Sequence, residues 1–409
     1  MGVELLSDVA TSDIQTSIAK LYDYLGNMYA LDSRRKIVVL LSGGVDSSVA
    51  LAALKHYGCR NLSAYYLKIW FEDEARFLGA CPWEEDLEYA ASVCEQLDIP
   101  LHVVSMQQQY YDYVVAYTLD ELRSGRTPSP DLLCNELVKF GAFLRQWPHD
   151  PPLIVSGHYA LLQPFSLPGE SPASGRQELL LLQAPDLVKD QSYFLSRLQP
   201  SQLQKLLFPL GVLHKAEVRR LAEHWGLATA RRRDSQGICF LGKVRFRDFA
   251  EHYLGRKPGT IIDADSGEKL GEHQGLWFHT IGQRQGLGLG GGPWYVCAKD
   301  MEANCLYVRH AKVQERPDFQ MPSRFWVEAP NWLQSRAVRE LLSGGPLQLK
   351  LRHGPHKIEC ALRREPTAWQ VSMKQGDRGV AAGQFAVFYW GNICLGSAAI
   401  RGISSSVLP

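Results

Sequence analysis

Lys36-Ile-Val-Val-Leu-Leu41 runs straight into Ser42-Gly-Gly-Val-Asp-Ser-Ser48, and the reading of this stretch decides the fold. Its first half is a short, bounded, β-branched apolar run, the pattern of a strand buried on both faces of a parallel sheet. Its second half is a turn. Two glycines let the backbone reverse tightly and bring N–H groups against an anion. The segment after Ser48 reads as a helix, which adds its positive N-terminal end, while Ser47 and Ser48 add hydroxyls. Strand, glycine turn and helix together describe a phosphate cradle. The loop lacks the lysine of the Walker pattern, Gly-x4-Gly-Lys-Ser/Thr, so it is not built for γ-phosphoryl transfer of that kind.

Outward from this core, the pattern repeats. Residues 12 to 30 read as an amphipathic helix with Ile14, Ile18, Leu21 and Leu25 on one face. Leu62 to Trp70, Leu101 to Ser105 and Leu153 to Val155 read as further strands, and Glu84 to Leu97 and Leu213 to Leu227 as helices. Strands alternating with helices predict a doubly wound parallel sheet. Residues 257 to 296 are rich in glycine. Beyond Phe325 apolar residues alternate: Leu347, Leu349, Leu351; Trp369, Val371, Met373; Phe385, Val387, Tyr389. That period of two predicts a small antiparallel β-barrel. The expected division is 1–245 for the α/β domain, 246–316 for a small central α+β domain, and 317–409 for the barrel.

Composition sets outer limits. A chain of 409 residues is too long for one ordinary core. Its net charge of +1 gives no global pull on nucleic acid, so any such site must be a local basic patch. No apolar run is long enough to span a bilayer, and the N-terminus lacks the order of a signal peptide. Nine cysteines without a Cys-x-x-Cys pair argue against a zinc ribbon or a secreted disulfide scaffold. The expectation is a cytoplasmic protein that does not enter membranes. The alternative is an organellar one whose transit peptide is missing from this chain.

Two further segments carry chemistry. In Thr127-Pro-Ser-Pro-Asp-Leu-Leu-Cys134-Asn, the prolines stiffen the approach to a helix beginning near Asp131. Cys134 then sits in its first turn, where the dipole favours thiolate, with Asp131 close enough for acid–base work. Taken alone, such a cysteine is more often buried and inert. In Arg231-Arg-Arg-Asp-Ser-Gln-Gly-Ile-Cys239, three arginines precede a second cysteine, with Lys215, Arg219, Arg220, Lys243, Arg245 and Arg247 nearby in sequence. This dense basic stretch suits a phosphate backbone and a depressed thiol pKa; a solvated charged loop is the plain alternative.

The Ser42–Ser48 loop resembles the PP-loop of the ATP pyrophosphatases, within the adenine nucleotide alpha hydrolase-like folds. That loop, the Pro-Asp-x-x-Cys-Asn segment, Ser156-Gly-His-Tyr-Ala160, Lys189-Asp-Gln-Ser-Tyr-Phe-Leu195, Asp234-Ser-Gln-Gly-Ile-Cys-Phe240 and Thr280-Ile-Gly-Gln-Arg-Gln-Gly-Leu-Gly-Leu289 stand in the order found in the tRNA-specific 2-thiouridylases. These are the bacterial MnmA and organellar TrmU enzymes, and the likeness runs from about Lys36 to Gly402. It implies ATP-dependent thiolation of a tRNA wobble uridine. ATP would be held by Leu40, Leu41, Ser42, Gly43, Gly44, Val45, Asp46, Ser47 and Ser48, with Leu67 against the adenine and Gly157 at the border. Ser129, Pro130 and Asp131 would meet the target base. His158, Lys189, Asp190, Gln191, Arg352, His353 and Gln384 would touch tRNA. Cys239 would carry a persulfide, supplied by a sulfur-relay protein or cysteine desulfurase, and Cys134 would be its partner. Mg²⁺ would screen the phosphates, its protein ligands unknown apart from a role for Asp46. The chain departs from the family in having Ser129 where Asn is usual, and in the stretch Phe71 to Trp83.

The chemistry agrees with these residues. A uridine C2 carbonyl is a poor electrophile, and adenylating its oxygen makes a leaving group. A thiolate or persulfide is then the competent nucleophile. Two other readings keep parts of this picture. One is a thiolase using an iron–sulfur cluster held by Cys134, Cys239 and Asp131, although no closely spaced cysteines favour it. The other is a non-catalytic tRNA-binding protein with a degenerate nucleotide site.

Overall fold

The computed structural model describes residues 2–28, 35–69, 82–168, 178–234, 245–314, 321–343 and 345–403, with side chains from residue 13 in the first helix. Strands β1 (Ile37–Leu40), β2 (Leu62–Lys68), β3 (Leu101–Ser105) and β4 (Leu153–Val155) form where the sequence predicts them. With β7 (Leu206–Leu207) they make a parallel sheet in the order β3-β2-β1-β4-β7. The chain winds from β1 to β3 on one side and then crosses back to β4 on the other. The seam between β1 and β4 is therefore the topological switch point, where ligands bind at the carboxyl ends of such strands.

The helix after β1 begins at Val45, four residues earlier than the sequence suggested, and ends at Tyr57. Its buried side chains, Val49 through Leu54, fill the space above the sheet. The first helix, Gly2–Met28, buries Leu21 and Leu25. It bonds to the helix Lys215–His224 through Glu217, whose Oε1 accepts from Ser17 Oγ and Lys20 Nζ, both at 3.0 Å.

The glycine-rich middle forms its own four-stranded sheet of β8 (Gly259–Asp263), β9 (Lys269–His273), β10 (Trp294–Asp300) and β11 (Cys305–His310), around Ile261, Leu276, Leu306 and Val308. The C-terminal strands are β12 (Arg324–Val327), β13 (Asn331–Trp332), β14 (Gln348–Lys350), β15 (Ile358–Arg364), β16 (Trp369–Met373), β17 (Phe385–Trp390) and β18 (Ile393–Ile403). They pair antiparallel, and β12 joins both β16 and β18, which closes the barrel.

Two features depart from the sequence reading. The hairpin β5 (Ala160–Phe165) and β6 (Glu178–Gln183) comes from the α/β part of the chain, yet it extends the barrel sheet: Ile393 pairs with Leu182 and Cys394 with Leu181. The alternation Phe385, Val387, Tyr389 does not line the barrel either. Those three side chains pack into the core of the α/β domain, while Ala386 and Phe388 fill the barrel. Strand β17 is a wall shared by two cores. Both of its faces are apolar, so alternation alone does not say which face looks inward.

Candidate functional site

The loop after β1 has the geometry its sequence requires. Gly43 takes φ +73°, a conformation open to glycine, and Gly44 caps the helix in extended backbone. Ser47 Oγ and Ser48 Oγ donate to the Gly44 carbonyl at 3.1 and 2.9 Å, and the Ser42 N–H donates to Ser47 Oγ at 3.2 Å. These bonds hold the loop curled around the helix N-terminus. Across the seam, Gly157 follows β4 and passes so close that a Cβ there would lie 2.7 Å from Ser47 N and 2.8 Å from Asp46 C. A Cβ at Gly43 would meet the backbone carbonyl of Asp86 more closely still. Close packing on both sides of the loop therefore requires glycine at 43 and 157.

Asp46 sits in the first turn of the loop helix. Its Oδ1 accepts from Tyr159 Oη at 2.8 Å and from Lys215 Nζ at 2.6 Å. Burial, and then the neighbouring Asp46, push the Tyr159 phenol far above its ordinary value, so it stays a donor. Lys215 also reaches Asp234 at 3.0 Å, and Asp234 pairs with Lys189 at 2.9 Å and with Arg219. Burial alone would raise the Asp234 carboxyl; the hydrogen bonds from Lys189, Lys215 and Arg219 outweigh it and hold the group well below the usual range. A chain of charges thus runs from the loop to Asp234, five positions before Cys239.

This corrects the reading of Lys215, Arg219 and Arg232 as part of a face for phosphate backbones. Arg232 turns inward, donates to the Gly43 carbonyl at 2.7 Å, pairs with Asp86, and lies over the Tyr89 ring at 4.4 Å. Arg219 bonds the carbonyls of Ala230 and Arg232. Lys215, Arg219 and Arg232 are neutralised by Asp46, Asp86 and Asp234, while Arg231 and Arg233 remain exposed. Asp86 comes from the helix Pro82–Leu97, far away in sequence, and no local signal marked it.

Cys134 is 1% exposed. It follows the helical turn Pro130–Leu133, which carries Asp131, and opens a π-helical stretch, Cys134–Ala142, in which Phe143 N–H donates to the Val138 carbonyl at 3.0 Å. Such windings are frequent at functional sites. Asn135 Nδ2 donates to the Phe194 carbonyl at 3.1 Å, and Arg197 Nε meets Glu136 at 2.5 Å, tying the segment to Ser192–Leu195. Ahead of it, Thr127 N–H donates to the Ala382 carbonyl at 2.8 Å. Gly383 packs against the Thr127 carbonyl, which brings Ser129 and Gln384 to the same junction of the α/β and barrel domains. Cys239 lies outside the described residues, as does most of the stretch Phe71 to Trp83; Trp83 itself starts a helix, under Lys68 Nζ at 4.0 Å.

The remaining candidate tRNA residues divide. Asp190 and Lys350 are both fully buried and pair at 3.0 Å. Asp190 also accepts from Gln183 at 2.8 Å and Ser192 Oγ at 3.0 Å. It is therefore a pin between the α/β domain and the barrel, its carboxylate bonded within the protein. Gln191 is spent on Tyr159, with Oε1 accepting from the Tyr159 N–H at 3.0 Å. His158 is wedged between Phe140 and Phe208, and Ser156 Oγ lies 2.8 Å from its Nδ1. Burial, then Lys139, push His158 down to about 3, so it is neutral. His353 stacks on Phe194 and reaches the Asp190 carbonyl at 2.9 Å. Arg352 is 62% exposed beside Asp377. Leu67 is half-buried at the end of β2. No group of three or more His, Cys, Asp or Glu that could hold a metal occurs among the described residues, and Asp46 is already bonded to Tyr159 and Lys215.

Comparison with known proteins matches the three regions in turn. A family model described as the tRNA methyl transferase HUP domain matches residues 35–243, its PRC-barrel domain matches 247–310, and an aminomethyltransferase β-barrel domain matches 323–400. The tRNA-specific 2-thiouridylase MnmA 2 of Bacteroides fragilis is 40% identical over 89% of this chain and 99% of its own. The tRNA-specific 2-thiouridylase MnmA of Parabacteroides distasonis is 39% identical over 89% of this chain and 98% of its own. Among solved structures, the U34-tRNA thiolase NcsA of Methanococcus maripaludis aligns over 53% of this chain and 66% of its own, at 18% identity and a TM-score of 0.35.

Proposed function

This chain belongs to the tRNA-specific 2-thiouridylase family, and from its geometry we propose how it thiolates a tRNA uridine at the expense of ATP. The observation that carries the proposal is the cradle at the switch point. Gly43 and Gly44 turn the chain from β1 into the N-terminus of the helix Val45–Tyr57, with Gly157 packed against that turn across the seam, the arrangement that holds a di- or triphosphate. In the proposed first step, the uridine O2 attacks the α-phosphorus of ATP as the bond to the β-phosphate breaks. Pyrophosphate leaves and the N3 proton passes to Asp131. Mg²⁺ would supply charge screening on the phosphates; the described residues offer it no protein cage, since Asp46 is bonded elsewhere.

In the proposed second step, the terminal sulfur of a Cys239 persulfide attacks C2 and AMP departs. Cys134 then attacks Cys239 Sγ, which frees the 2-thiouridine and leaves a Cys134–Cys239 disulfide for an external dithiol to reduce. The buried position of Cys134 beside Asp131 supports a thiol kept from stray oxidants until the partner arrives. Ser129, Pro130, Gln384 and Arg352 are proposed to meet the tRNA, and Leu67 the adenine. The persulfide is proposed to come from a sulfur-relay protein or cysteine desulfurase. No helix among the described residues is long and apolar enough to cross a membrane. The enzyme is proposed to act in the cytoplasm.

Purified protein given ATP, unmodified tRNA and a persulfide donor should release pyrophosphate and yield 2-thiouridine on nucleoside mass spectrometry. Pyrophosphate release without thiolated nucleoside would point to a different nucleophile; the absence of both would overturn the reading.

A further inference from the structure

We propose that Lys215 is a catalytic residue of the adenylation step, the cation that contacts the β- and γ-phosphates and carries the charge of the departing pyrophosphate. The inference rests on ATP binding in the cradle.

The loop itself contains no lysine, unlike the Walker pattern. A pyrophosphate leaving group still develops negative charge, and a preorganised cation aimed at that charge is a large contributor to such a step. Among the described residues, two cations touch the loop. Arg232 is committed: it lies over Tyr89, pairs with Asp86 and holds the Gly43 carbonyl, so moving it would unpin the loop. Lys215 is placed differently. Its Nζ is 2.6 Å from Asp46 Oδ1 and 3.0 Å from Asp234 Oδ1, and its side chain is 13% exposed. Both carboxylates keep other donors. Asp46 retains Tyr159, and Asp234 retains Lys189 and Arg219. Lys215 is therefore the one of these two cations that can turn to a phosphate while the loop keeps its tie and each carboxylate it leaves keeps a hydrogen-bond donor.

Its base is fixed while its tip is available. The Lys215 N–H donates to Asp186 Oδ2 at 3.1 Å, and the following turn is closed by Glu217, whose Oε2 accepts from the His214 N–H at 2.8 Å. A four-carbon stem on a capped helix end suits a point charge that swings between acceptors over a few ångströms.

The test uses the whole enzyme with ATP and unmodified tRNA. Pyrophosphate release is measured with added inorganic pyrophosphate or added AMP as inhibitors. Lys215→Met should slow release by about 100-fold and weaken inhibition by pyrophosphate by about 10-fold, while AMP inhibits as before. Lys215→Arg should recover part of the rate. If Lys215→Met loses thermal stability but keeps the wild-type rate and the wild-type response to pyrophosphate, Lys215 is a strut and the proposal fails. Should that variant not fold, Asp234→Asn releases Lys215 from one carboxylate and should strengthen pyrophosphate inhibition; an unchanged inhibition constant overturns the proposal equally. A wild-type enzyme that releases no pyrophosphate would instead defeat the function from which the inference starts.

Discussion

Arg232 donates a hydrogen bond to the carbonyl of Gly43 at 2.7 Å, although 189 positions separate them. The residue that precedes the second cysteine by seven positions is thus part of the phosphate loop's own scaffold. Its guanidinium also pairs with Asp86 and lies over the Tyr89 ring, so the Gly43 carbonyl is held by a residue anchored outside the loop.

Arg232 is accordingly expected to serve the nucleotide, and Arg231 with Arg233 the tRNA. Replacing the exposed pair by alanine should lower the log–log salt slope of tRNA binding by about one to two units. Arg232→Ala should leave that slope alone but raise KM for ATP by about 10-fold or more. Filter binding of tRNA between low and moderate salt, alongside pyrophosphate release, separates the two. An Arg232→Ala slope that falls as much as the double variant's would return it to the surface.

Gly157 should tolerate no side chain. A Cβ would meet Ser47 N at 2.7 Å, so Gly157→Ala must push the loop or the strand end aside, at about 1–3 kcal/mol. Pyrophosphate release should fall at least 100-fold while tRNA affinity stays within about twofold, because the tRNA contacts are carried elsewhere. Normal nucleotide turnover in Gly157→Ala would show that the loop opens freely.

Breaking the Asp190–Lys350 pair on one side should cost about 3–5 kcal/mol in urea unfolding, since each leaves a buried charge alone. Replacing both with apolar residues should recover much of that loss. If Asp190→Asn instead weakens tRNA binding with full stability, the residue faces tRNA after all.

Folding stability should depend on pH through His158. Its pKa is depressed from the ordinary 6.5 to about 3. The unfolded chain therefore binds the proton more readily, and stability is full above 6.5 and declines as pH falls towards 3. His158→Asn should flatten that decline between pH 6.5 and 4, as followed by urea midpoints. An unaltered slope would mean the ring gains its proton without cost.

The two cysteines should separate chemically. Cys239→Ser should accept no sulfur from a labelled donor. Cys134→Ser should load sulfur on Cys239 yet stall after one turnover. Full multiple turnover by Cys134→Ser would leave Cys134 as a buried structural thiol.

Much of this was legible in the chain. The apolar run Ile37–Leu40, the paired glycines and the helix after them are local signals with local causes; the strand formed where the pattern placed it, and the helix began within the loop itself. The partners of those elements were not legible. Nothing near Asp86 or Tyr159 announces that they meet Arg232 and Asp46, because those contacts depend on how the sheet is wound. Charge counting misled at Lys215 and Arg232 for the same reason: Asp46 and Asp86, which pair with them, come from distant elements. Period two marked β17 correctly as a strand but not which face met which core, since Phe385 and Phe388 are equally apolar and equally buried.

The hairpin Ala160–Phe165 and Glu178–Gln183 finds its sheet partner only at Ile393 and Cys394. On a ribosome that emits the N-terminus first, some two hundred residues must emerge before this edge is covered. Until then Leu180, Leu181 and Leu182, all buried in the finished protein, border an open strand. A nascent or truncated chain that stops short of the last strands therefore exposes a sticky edge in its catalytic half. Pieces cut at the apparent barrel boundary should precipitate, and the final strand acts as the clasp that makes the earlier half soluble.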